Sequence, residues 1–467
     1  MTRATKLTKG ITLAAGCVVC TAAVTALSGA PAGAAVARDT VTIGNPVEGS
    51  NGFGVVTEGD ATLGSTESEG PVAIGGDLTI GPGYNVALND TGTYTAPGDS
   101  SPTALIVGGR INYTDSAQDG VLKVLRDGYV KIGDLSGSQV LNTDTNGATV
   151  HTHIDATGAA YDATPRIELT TTQSAASVGQ RPMDFASLFS TYRTRADTMA
   201  ECAGTVELRD GGGTVLSGPE DITPGGQVRI SLRSGQTNVL RLTGEQLDNI
   251  GTLTFDDQPS ADTPLLVVVD TTGTGSQFTW HTPTLAGVSG AQAPYMLWDF
   301  PDATDITIAD GDTVEGTIFA PRARLTDLDP SNIEGDVIVK ELIAGPVSPV
   351  TQQYVNAGEI HYFPFDASLE CGDTMPSTAT PTPSPSQTTT EPTPSPSTST
   401  PQPSPTPSSP GPATTPPAPR PTPTGGELAN TGTGRALWLL SGVAAVLAGT
   451  GTTLTLWSRR RRGQHEG

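Results

Sequence analysis

Short apolar runs broken by tight turns dominate the chain between residues 41 and 374. Within each run apolar and polar residues alternate, and Gly-Gly, Gly-Asp or Asn-Gly pairs separate the runs, a pattern that predicts short β-strands. Residues 72–80 are echoed by residues 105–113, and residues 314–320 by residues 333–339. The last two copies lie 19 residues apart, which corresponds to one coil of a three-sided β-solenoid.

A solenoid accounts for the composition of this region. Each coil stacks a short strand on the strand of the coil before it, so alternate Val, Ile and Leu side chains fill a narrow interior and Gly allows tight corners. We therefore predict a mainly β fold built as a parallel β-solenoid. A β-sandwich is the alternative, above all for residues 205–282, where the strand pattern has no clear coil period.

One segment departs from the strand pattern. Between residues 183 and 200 the apolar side chains recur at helical spacing, at Phe185, Leu188, Phe189, Tyr192, Ala196 and Met199. Asp184 or Ser187 is suited to cap the first turn. The sequence thus predicts one α-helix whose apolar stripe packs on the flank of the solenoid.

The N-terminus has the layout of a secretory signal peptide, residues 1–34. A basic segment with Arg3, Lys6 and Lys9 precedes an apolar stretch, residues 11–27, and Ala32-Gly33-Ala34 forms an A-x-A cleavage site. Cleavage after Ala34 is predicted, with cleavage after Ala37 as one alternative and lipidation of Cys17 as another. The protein is therefore expected to be exported.

The C-terminus combines a short motif, an apolar stretch and a basic tail. Residues 436–457 contain no charged residue and have the length of a membrane-spanning helix. The tail, residues 458–467, carries four arginines and is expected to stay in the cytoplasm. Ahead of the helix stand Leu428, Ala429, Asn430, Thr431 and Gly432.

This pentapeptide resembles the LPxTG sorting signal of Gram-positive surface proteins, in the LAxTG form typical of high-GC actinobacteria. The resemblance implies that a sortase cleaves between Thr431 and Gly432 and transfers the Thr431 carbonyl to peptidoglycan through a thioester. The chain is then a substrate of the sortase, held transiently by one membrane span before it is anchored covalently in the cell wall.

Residues 377–426 consist almost entirely of Pro, Thr, Ser, Gln, Ala and Gly. Such a segment has too few large apolar residues to fold, so we predict a disordered stalk rich in polyproline II conformation.

Two cysteines, Cys202 and Cys371, remain after removal of the signal peptide. In an oxidising compartment they predict one disulfide. Two free thiols, or a Cys–Gln thioester, are the alternatives.

The exported segment is strongly acidic. Residues 38–426 hold 46 of the 48 acidic residues and 17 of the 25 basic residues, which gives a net charge of −29. This charge excludes nucleic acid and anionic lipid as favoured partners, because both would be repelled.

Several segments of residues 41–374 together resemble the choice-of-anchor A domain, a bacterial surface adhesive domain found with various C-terminal anchors. The segments are residues 51–60, 69–77, 185–186, 297–304, 315–321 and 358–365. The resemblance implies a discontinuous β-solenoid with a flanking helix, similar in layout to ice-binding-like adhesin domains. It implies no catalytic residue.

The residues themselves offer little catalytic or metal chemistry. His151 and His153 would share one face of a strand, but no third ligand is evident, so exposed polar residues are the preferred interpretation. The turns 310–312 and 327–329 are acidic without EF-hand spacing, which leaves calcium as a weak option. We predict no cofactor and no metal site.

Three functions remain open. The preferred one is a wall-anchored adhesin that binds an unidentified extracellular ligand or host or matrix surface without enzymatic turnover. The second is a solenoid enzyme acting on polysaccharide, with carboxylates brought together from separate coils. The third is a structural or ice-binding-type coat protein, which requires threonines aligned in columns on one face of the solenoid.

Overall fold

The computed structural model describes residues 41–372. Five predicted segments lie outside the described residues: 1–34, 377–426, 428–432, 436–457 and 458–467. Within the described part, no helix is long and apolar enough to cross a membrane.

The first part of the described chain consists of short strands followed by two helices. In chain order these are β1 (Val41–Gly44), β2 (Val55–Thr57), β3 (Ala61–Leu63), β4 (Glu67–Ser68), β5 (Val72–Ile74), β6 (Leu78–Ile80), β7 (Tyr84–Val86), β8 (Thr103–Val107), β9 (Val121–Val124), β10 (Tyr129–Ile132), β11 (Ser138–Thr143), β12 (Thr149–Ala156), β13 (Arg166–Leu169), α1 (Ala175–Val178) and α2 (Phe185–Ala200).

The remainder is again mostly strand. It comprises β14 (Leu208–Asp210), β15 (Gly226–Ile230), β16 (Asn238–Thr243), α3 (Gly244–Asp248), β17 (Ile250–Phe255), β18 (Leu265–Asp270), β19 (Gln277–Thr282), β20 (Thr284–Ala286), β21 (Met296–Asp299), β22 (Asp305–Gly311), β23 (Val314–Glu315), β24 (Thr317–Asp327), β25 (Ile333–Glu334), β26 (Val337–Ala344), β27 (Glu359–His361) and β28 (Leu369–Cys371).

The two parts of the chain meet in the middle of one parallel sheet. β2 pairs with β26, which places Val55 opposite Val337. From β2 the sheet continues through β5, β8 and β10, and from β26 it continues the other way through β24, β21, β18 and β16. The fold is therefore a discontinuous parallel β-solenoid, as expected, because coils from opposite ends of the described chain are neighbours.

Residues 205–282 belong to the same solenoid. β16 pairs in parallel with β18, and β15 with β17, while only β14 adds an antiparallel partner to this segment. The β-sandwich alternative is wrong here, because the strands stack coil on coil in parallel rather than folding back as antiparallel sheets.

The solenoid has three faces. The covered face consists of β2, β5, β8, β10, β16, β18, β21 and the first parts of β24 and β26. The threonine face consists of β3, β6, β19, β22 and the last parts of β24 and β26. The third face includes β4, β7, β9, β13, β23, β25 and β27.

Alternate side chains of every coil fill the interior. Valine, isoleucine and leucine dominate, and an aromatic cluster of Phe278, Trp280, Trp298 and Phe300 occupies the C-terminal half, with ring centroids 5.4–6.2 Å apart. Both tryptophans are 1% exposed. They belong to the core, so neither is available to line a surface cleft.

α2 packs on the covered face, as the helical spacing predicted. Asp184 caps its start by accepting a hydrogen bond from the Ser187 amide at 3.2 Å. Phe189 and Tyr192 are fully buried against outward residues of the sheet such as Phe319, whereas Leu188 is only half-buried. The helix thus covers an apolar face that would otherwise be exposed.

Glycine at the corners allows neighbouring coils to approach closely. A Cβ added to Gly108 would lie 2.4 Å from the carbonyl oxygen of Gly75 in the preceding coil. The same atom on Gly133 would lie 2.2 Å from the carbonyl oxygen of Gly108. No side chain fits at these corners at this separation of coils.

Both ends of the main sheet are closed by local contacts. At one end the side-chain amide of Gln173 donates from Nε2 to the Val130 carbonyl at 2.8 Å, and its Oε1 accepts from the backbone amide of Val130 at 2.9 Å. At the other end Thr205 donates its amide to the Val239 carbonyl at 2.8 Å, and its hydroxyl accepts from the Val239 amide at 2.9 Å. These contacts satisfy edge groups that would otherwise pair with another chain.

Cys202 and Cys371 form the disulfide that the sequence predicted, with Cα atoms 5.4 Å apart. The bond joins Cys202, the second residue after the end of α2, to β28, which pairs with β1. It therefore links the flanking helix to the C-terminal end of the described chain.

Candidate functional site

The threonine face carries a row of threonines on its outer side. In each of its strands at least one outward side chain lies between two buried ones, as Thr79 lies between Leu78 and Ile80. Parallel pairing brings the outward residues side by side. The row, which we call the threonine ladder, runs through Thr279, Thr307, Thr326, Ile343, Thr62 and Thr79.

The ladder is regular, since none of its six positions falls at a shift in strand register. Adjacent strands lie about 4.8 Å apart, so the row extends over roughly 24 Å. Thr279 is exposed, and the other four threonines of the row are half-buried. Ile343 is the one member without a hydroxyl.

A second row of side chains follows the ladder two residues earlier on the same strands. Gln277, Asp305, Arg324 and Glu341 lie opposite one another in this order. Arg324 donates a hydrogen bond to Asp305 at 2.5 Å, and both side chains stay partly exposed. This charged row places hydrogen-bond donors and acceptors beside the ladder hydroxyls.

A groove of about 690 Å³ lies at the β19 end of the ladder. Its lining includes Glu245 and Asp248 of α3 together with Thr274, Thr279 and Thr307. A capping box fixes the start of α3 directly after β16. In it the Thr243 side chain accepts a hydrogen bond from the backbone amide of Gln246, and the Gln246 side chain accepts one from the backbone amide of Thr243.

Asp248 is held in the groove by the neighbouring strand. Its carboxylate accepts from the backbone amide of His281 at 3.1 Å and lies 2.8 Å from His281 Nδ1. The hydrogen bond that His281 Nδ1 makes to the Asp248 carboxylate raises the pKa of His281 above its ordinary value. Asp248 and His281 therefore form an ion pair whenever the imidazole is protonated.

Carboxylates from separate coils meet on the third face, around His361. Its Nδ1 lies 3.5 Å from Glu334 and its Nε2 lies 3.0 Å from Glu359, and these contacts raise the pKa of His361 to about 9. Glu315 lies opposite Glu334 in the next coil, and burial raises its pKa to about 8. Two of the carboxylates thus hold an imidazolium between them.

His151 and His153 occupy different surroundings. His151 is exposed on β12, whereas His153 is buried beneath Tyr161, with the two rings stacked 3.7 Å apart. The prediction that both are exposed is wrong for His153, because the loop after β12 folds over it. Among residues 41–372 no group of three or more His, Cys, Asp or Glu side chains is arranged to hold a metal ion.

The carboxylates of the acidic turns accept hydrogen bonds from backbone amides of the same turns. Asp327 accepts from the amide of Asp329 at 3.1 Å, and Asp329 accepts from the amide of Ser331 at 2.7 Å. Asp312 accepts from the amide of Thr313 at 2.9 Å. Calcium at these turns stays the weak option that the sequence left.

A family model described as "Putative Ice-binding-like adhesive domain" matches residues 46–348, more than half of the chain. The chain belongs to this family. The matched residues of the adhesive domain include the whole threonine ladder, the charged row and the groove. No curated protein sequence matches the chain.

Two solved structures match the chain. An ice binding protein from an Antarctic Biological Consortium is 11% identical, with 71% of this chain and 95% of that chain covered and a TM-score of 0.26. An ice-binding protein (LeIBP) from an Arctic yeast is 11% identical, with 68% and 94% covered and a TM-score of 0.24. At these scores neither likeness adds to the fold already described.

The threonine ladder itself was not located from the sequence, which only named the alignment of threonines as a condition. One signal was present: Thr62, Thr79, Thr279 and Thr307 each stand between two apolar residues. The predicted sorting residues 428–432 and the cleavage site at Ala34 lie outside the described residues.

Proposed function

We propose that this chain is a secreted surface protein, sorted to the cell wall, whose adhesive domain binds an extracellular partner through the threonine ladder without turning it over. The ladder carries the proposal, because it is a regular, outward-facing row of five threonines and one isoleucine. Many weak contacts along such a row add up to useful avidity without a deep pocket. The membership in an adhesive-domain family supports the same function, and assignment to the choice-of-anchor A group is part of the proposal.

Wall anchoring is the second part of the proposal, and the motif 428–432 ahead of residues 436–457 supports it. The partners are a sortase, which takes the chain as substrate, and peptidoglycan, which receives it covalently at Thr431.

Thr431→Ala should abolish this anchoring. The sortase cysteine forms a thioester with the carbonyl carbon of residue 431, and it does so only after the enzyme has recognised the motif that contains Thr431. We expect the amount of protein released from walls by muramidase to fall to the background level, with the protein recovered from membranes instead. Thr433→Ala, two residues further on, is the matched control and should sort normally. Unchanged wall release by the Thr431 variant would rule out sorting through this motif.

Replacing two ladder threonines by a bulky residue should reduce attachment. In the double variant Thr62→Tyr and Thr79→Tyr, two large rings interrupt the row at the end far from the groove. We expect cell attachment or aggregation to fall by about tenfold, the equivalent of 1.4 kcal/mol. Counting attached cells on protein, glycan and cell surfaces gives the measurement.

The matched control places the same change on another exposed surface. Thr252 and Thr254 of β17 are half-buried outward residues on either side of buried Leu253. Thr252→Tyr and Thr254→Tyr should leave attachment unchanged at equal surface display. Equal loss in both double variants would show that attachment does not depend on the ladder.

Ice binding is the second candidate function, and the alignment of threonines in one column favours it. A row of hydroxyl and methyl groups at a fixed interval suits an ordered lattice of water. Inhibition of ice recrystallisation by the purified protein, lost in the Thr62→Tyr and Thr79→Tyr double variant, would support it. Ice growth that is unchanged at all protein concentrations would rule out ice binding as a function.

The absence of turnover is also part of the proposal. The carboxylates that meet across coils, Glu334 and Glu359, are engaged with His361, and the tryptophans Trp280 and Trp298 are in the core. Release of reducing sugar from polysaccharide by the purified protein would favour the enzyme alternative.

A further inference from the structure

The groove at the β19 end of the threonine ladder is a site in its own right. Its volume of about 690 Å³ falls in the range of small-ligand sites, which is about 300–1,000 Å³. Its floor includes the first two ladder members, Thr279 and Thr307. A ligand seated in the groove therefore touches the same strands that carry the ladder.

The polar groups of the groove suit adjacent hydroxyl groups. Asp305 and Arg324 lie opposite each other on neighbouring strands and form an ion pair with side chains 37% and 48% exposed. A guanidinium has five N–H donors and a carboxylate has two acceptor oxygens, so this single contact leaves most of both free. One hydroxyl can accept from Arg324 while its neighbour donates to Asp305. Gln277, next in the charged row, adds an amide that both donates and accepts.

The charge of the groove disfavours anions. Three carboxylates, those of Glu245, Asp248 and Asp305, face one guanidinium, that of Arg324. His281, next to Asp248, adds positive charge only when it is protonated. A phosphate, sulfate or uronate group is repelled by this balance.

Phe278 is the one large apolar side chain among the residues that line the groove, and it is 5% exposed and belongs to the core, so no aromatic or aliphatic side chain is offered to a wholly apolar ligand. A basic peptide is the main competitor. It is less favoured because Asp305 already has a cationic partner in Arg324, and because the threonine hydroxyls and the Gln277 amide add nothing specific for an ammonium group.

From these observations we propose that the groove binds the end of an uncharged, polyhydroxylated ligand, an oligosaccharide, whose remaining units lie along the threonine ladder. This inference rests on the proposed function, for which it names the class of ligand. Asp305 and Arg324 bind the hydroxyls of the terminal unit, and Thr326 and the members beyond it contact the units that follow.

Calorimetry with short and long sugars tests the proposal. The mature protein, released from cell walls by muramidase, is titrated with cellotriose, chitotriose, cellohexaose and chitohexaose. Hexagalacturonate and hexalysine serve as the anionic and cationic probes. We expect at least one uncharged trisaccharide to bind, and its hexasaccharide to bind more tightly, because only the longer chain reaches the far end of the ladder.

Two sets of variants separate the groove from the ladder. Arg324→Gln and Asp305→Asn should weaken binding of the trisaccharide by about tenfold or more, since each removes a charged partner of the hydroxyls. The Thr62→Tyr and Thr79→Tyr double variant should leave trisaccharide binding unchanged and weaken only the hexasaccharide. Unchanged melting temperatures show that each variant is folded.

Three results would overturn the proposal: no binding of any uncharged sugar, unchanged trisaccharide affinity in both groove variants, or tighter binding of hexagalacturonate or hexalysine. The proposed function can survive such a failure. If the ladder variant still loses cell attachment while the groove variants bind and attach as the wild type does, the ladder is the adhesive surface and the groove is not part of it.

Discussion

Gly108→Ala is expected to lower the midpoint of thermal unfolding by several degrees. The added methyl group would lie 2.4 Å from the carbonyl oxygen of Gly75, and backbone on both sides cannot rotate away as a side chain can. Overpacking of this kind costs about 1–3 kcal/mol and more where the surroundings are rigid. Calorimetry or circular dichroism on the purified protein gives the measurement.

Gly83→Ala is the matched control for this substitution. A Cβ on Gly83 meets no other atom within 4 Å, and alanine reduces the freedom of the unfolded chain. We therefore expect no loss, or a gain of about 0.4–1 kcal/mol. Equal stability of the two variants would mean that coils separate easily at the corners and that stacking there is not tight.

Lowering the pH from about 8 to about 5 is expected to stabilise the domain. Burial raises the pKa of Asp336 to about 7 and that of Glu315 to about 8, whereas carboxyls of an unfolded chain titrate near pH 4. The native state keeps protons that the unfolded state releases. The stabilisation is therefore complete below about pH 4 and is lost as the pH rises through about 7 to 8.

Two histidines also contribute to the dependence of stability on pH. His361, with its pKa raised to about 9, adds stability that is full below about pH 6.5 and is lost as the pH rises through about 9. His153 acts in the opposite direction below about pH 6.5, because burial lowers its pKa. The carboxyls and His361 together outweigh it, so the melting temperature should rise on acidification.

Asp336→Asn isolates one of these groups. Asp336 is 1% exposed, and one of its oxygens accepts from the Phe365 amide at 2.9 Å. Asparagine keeps this acceptor but carries no charge, so the variant should be more stable than the wild type at pH 8, by about 4 kcal/mol at most. It should also show a weaker dependence on pH.

Exposed Asp119 provides the control, since Asp119→Asn should leave the pH dependence as it is. A wild-type melting temperature that falls between pH 8 and pH 5 would contradict the assignment of protons to the buried carboxyls.

Local pattern predicted those parts of the fold that depend on neighbours in sequence. The 19-residue spacing placed β24 next to β26, and Ile318 does lie opposite Val337. The stripe from Phe185 to Met199 gave the helix, because its period is set within the segment itself. The pairing of β2 with β26 joins coils that are far apart in sequence, so no local period specifies it; the expectation of a discontinuous solenoid came from family resemblance.

The candidate site could not be predicted from the sequence, because it too depends on contacts between residues that are far apart along the chain. The threonine ladder exists only because the register between Ile343 and Thr62 crosses the discontinuity. The groove requires α3 to lie beside β19, a contact between separate coils. His153 shows the complementary error: its strand pattern is that of an exposed residue, and only the return of Tyr161 buries it.

The disulfide has a mechanical consequence. A pulling force that enters the domain at Gly372 reaches Cys371 after one residue and passes through the covalent bond to Cys202. When the force acts between Gly372 and a residue ahead of Cys202, the chain between the two cysteines, which are 169 positions apart, is not extended even if β28 detaches from β1. Thr279, Thr307, Thr326 and the groove all lie within this closed loop. Tension between two points outside the loop therefore leaves their backbone unextended.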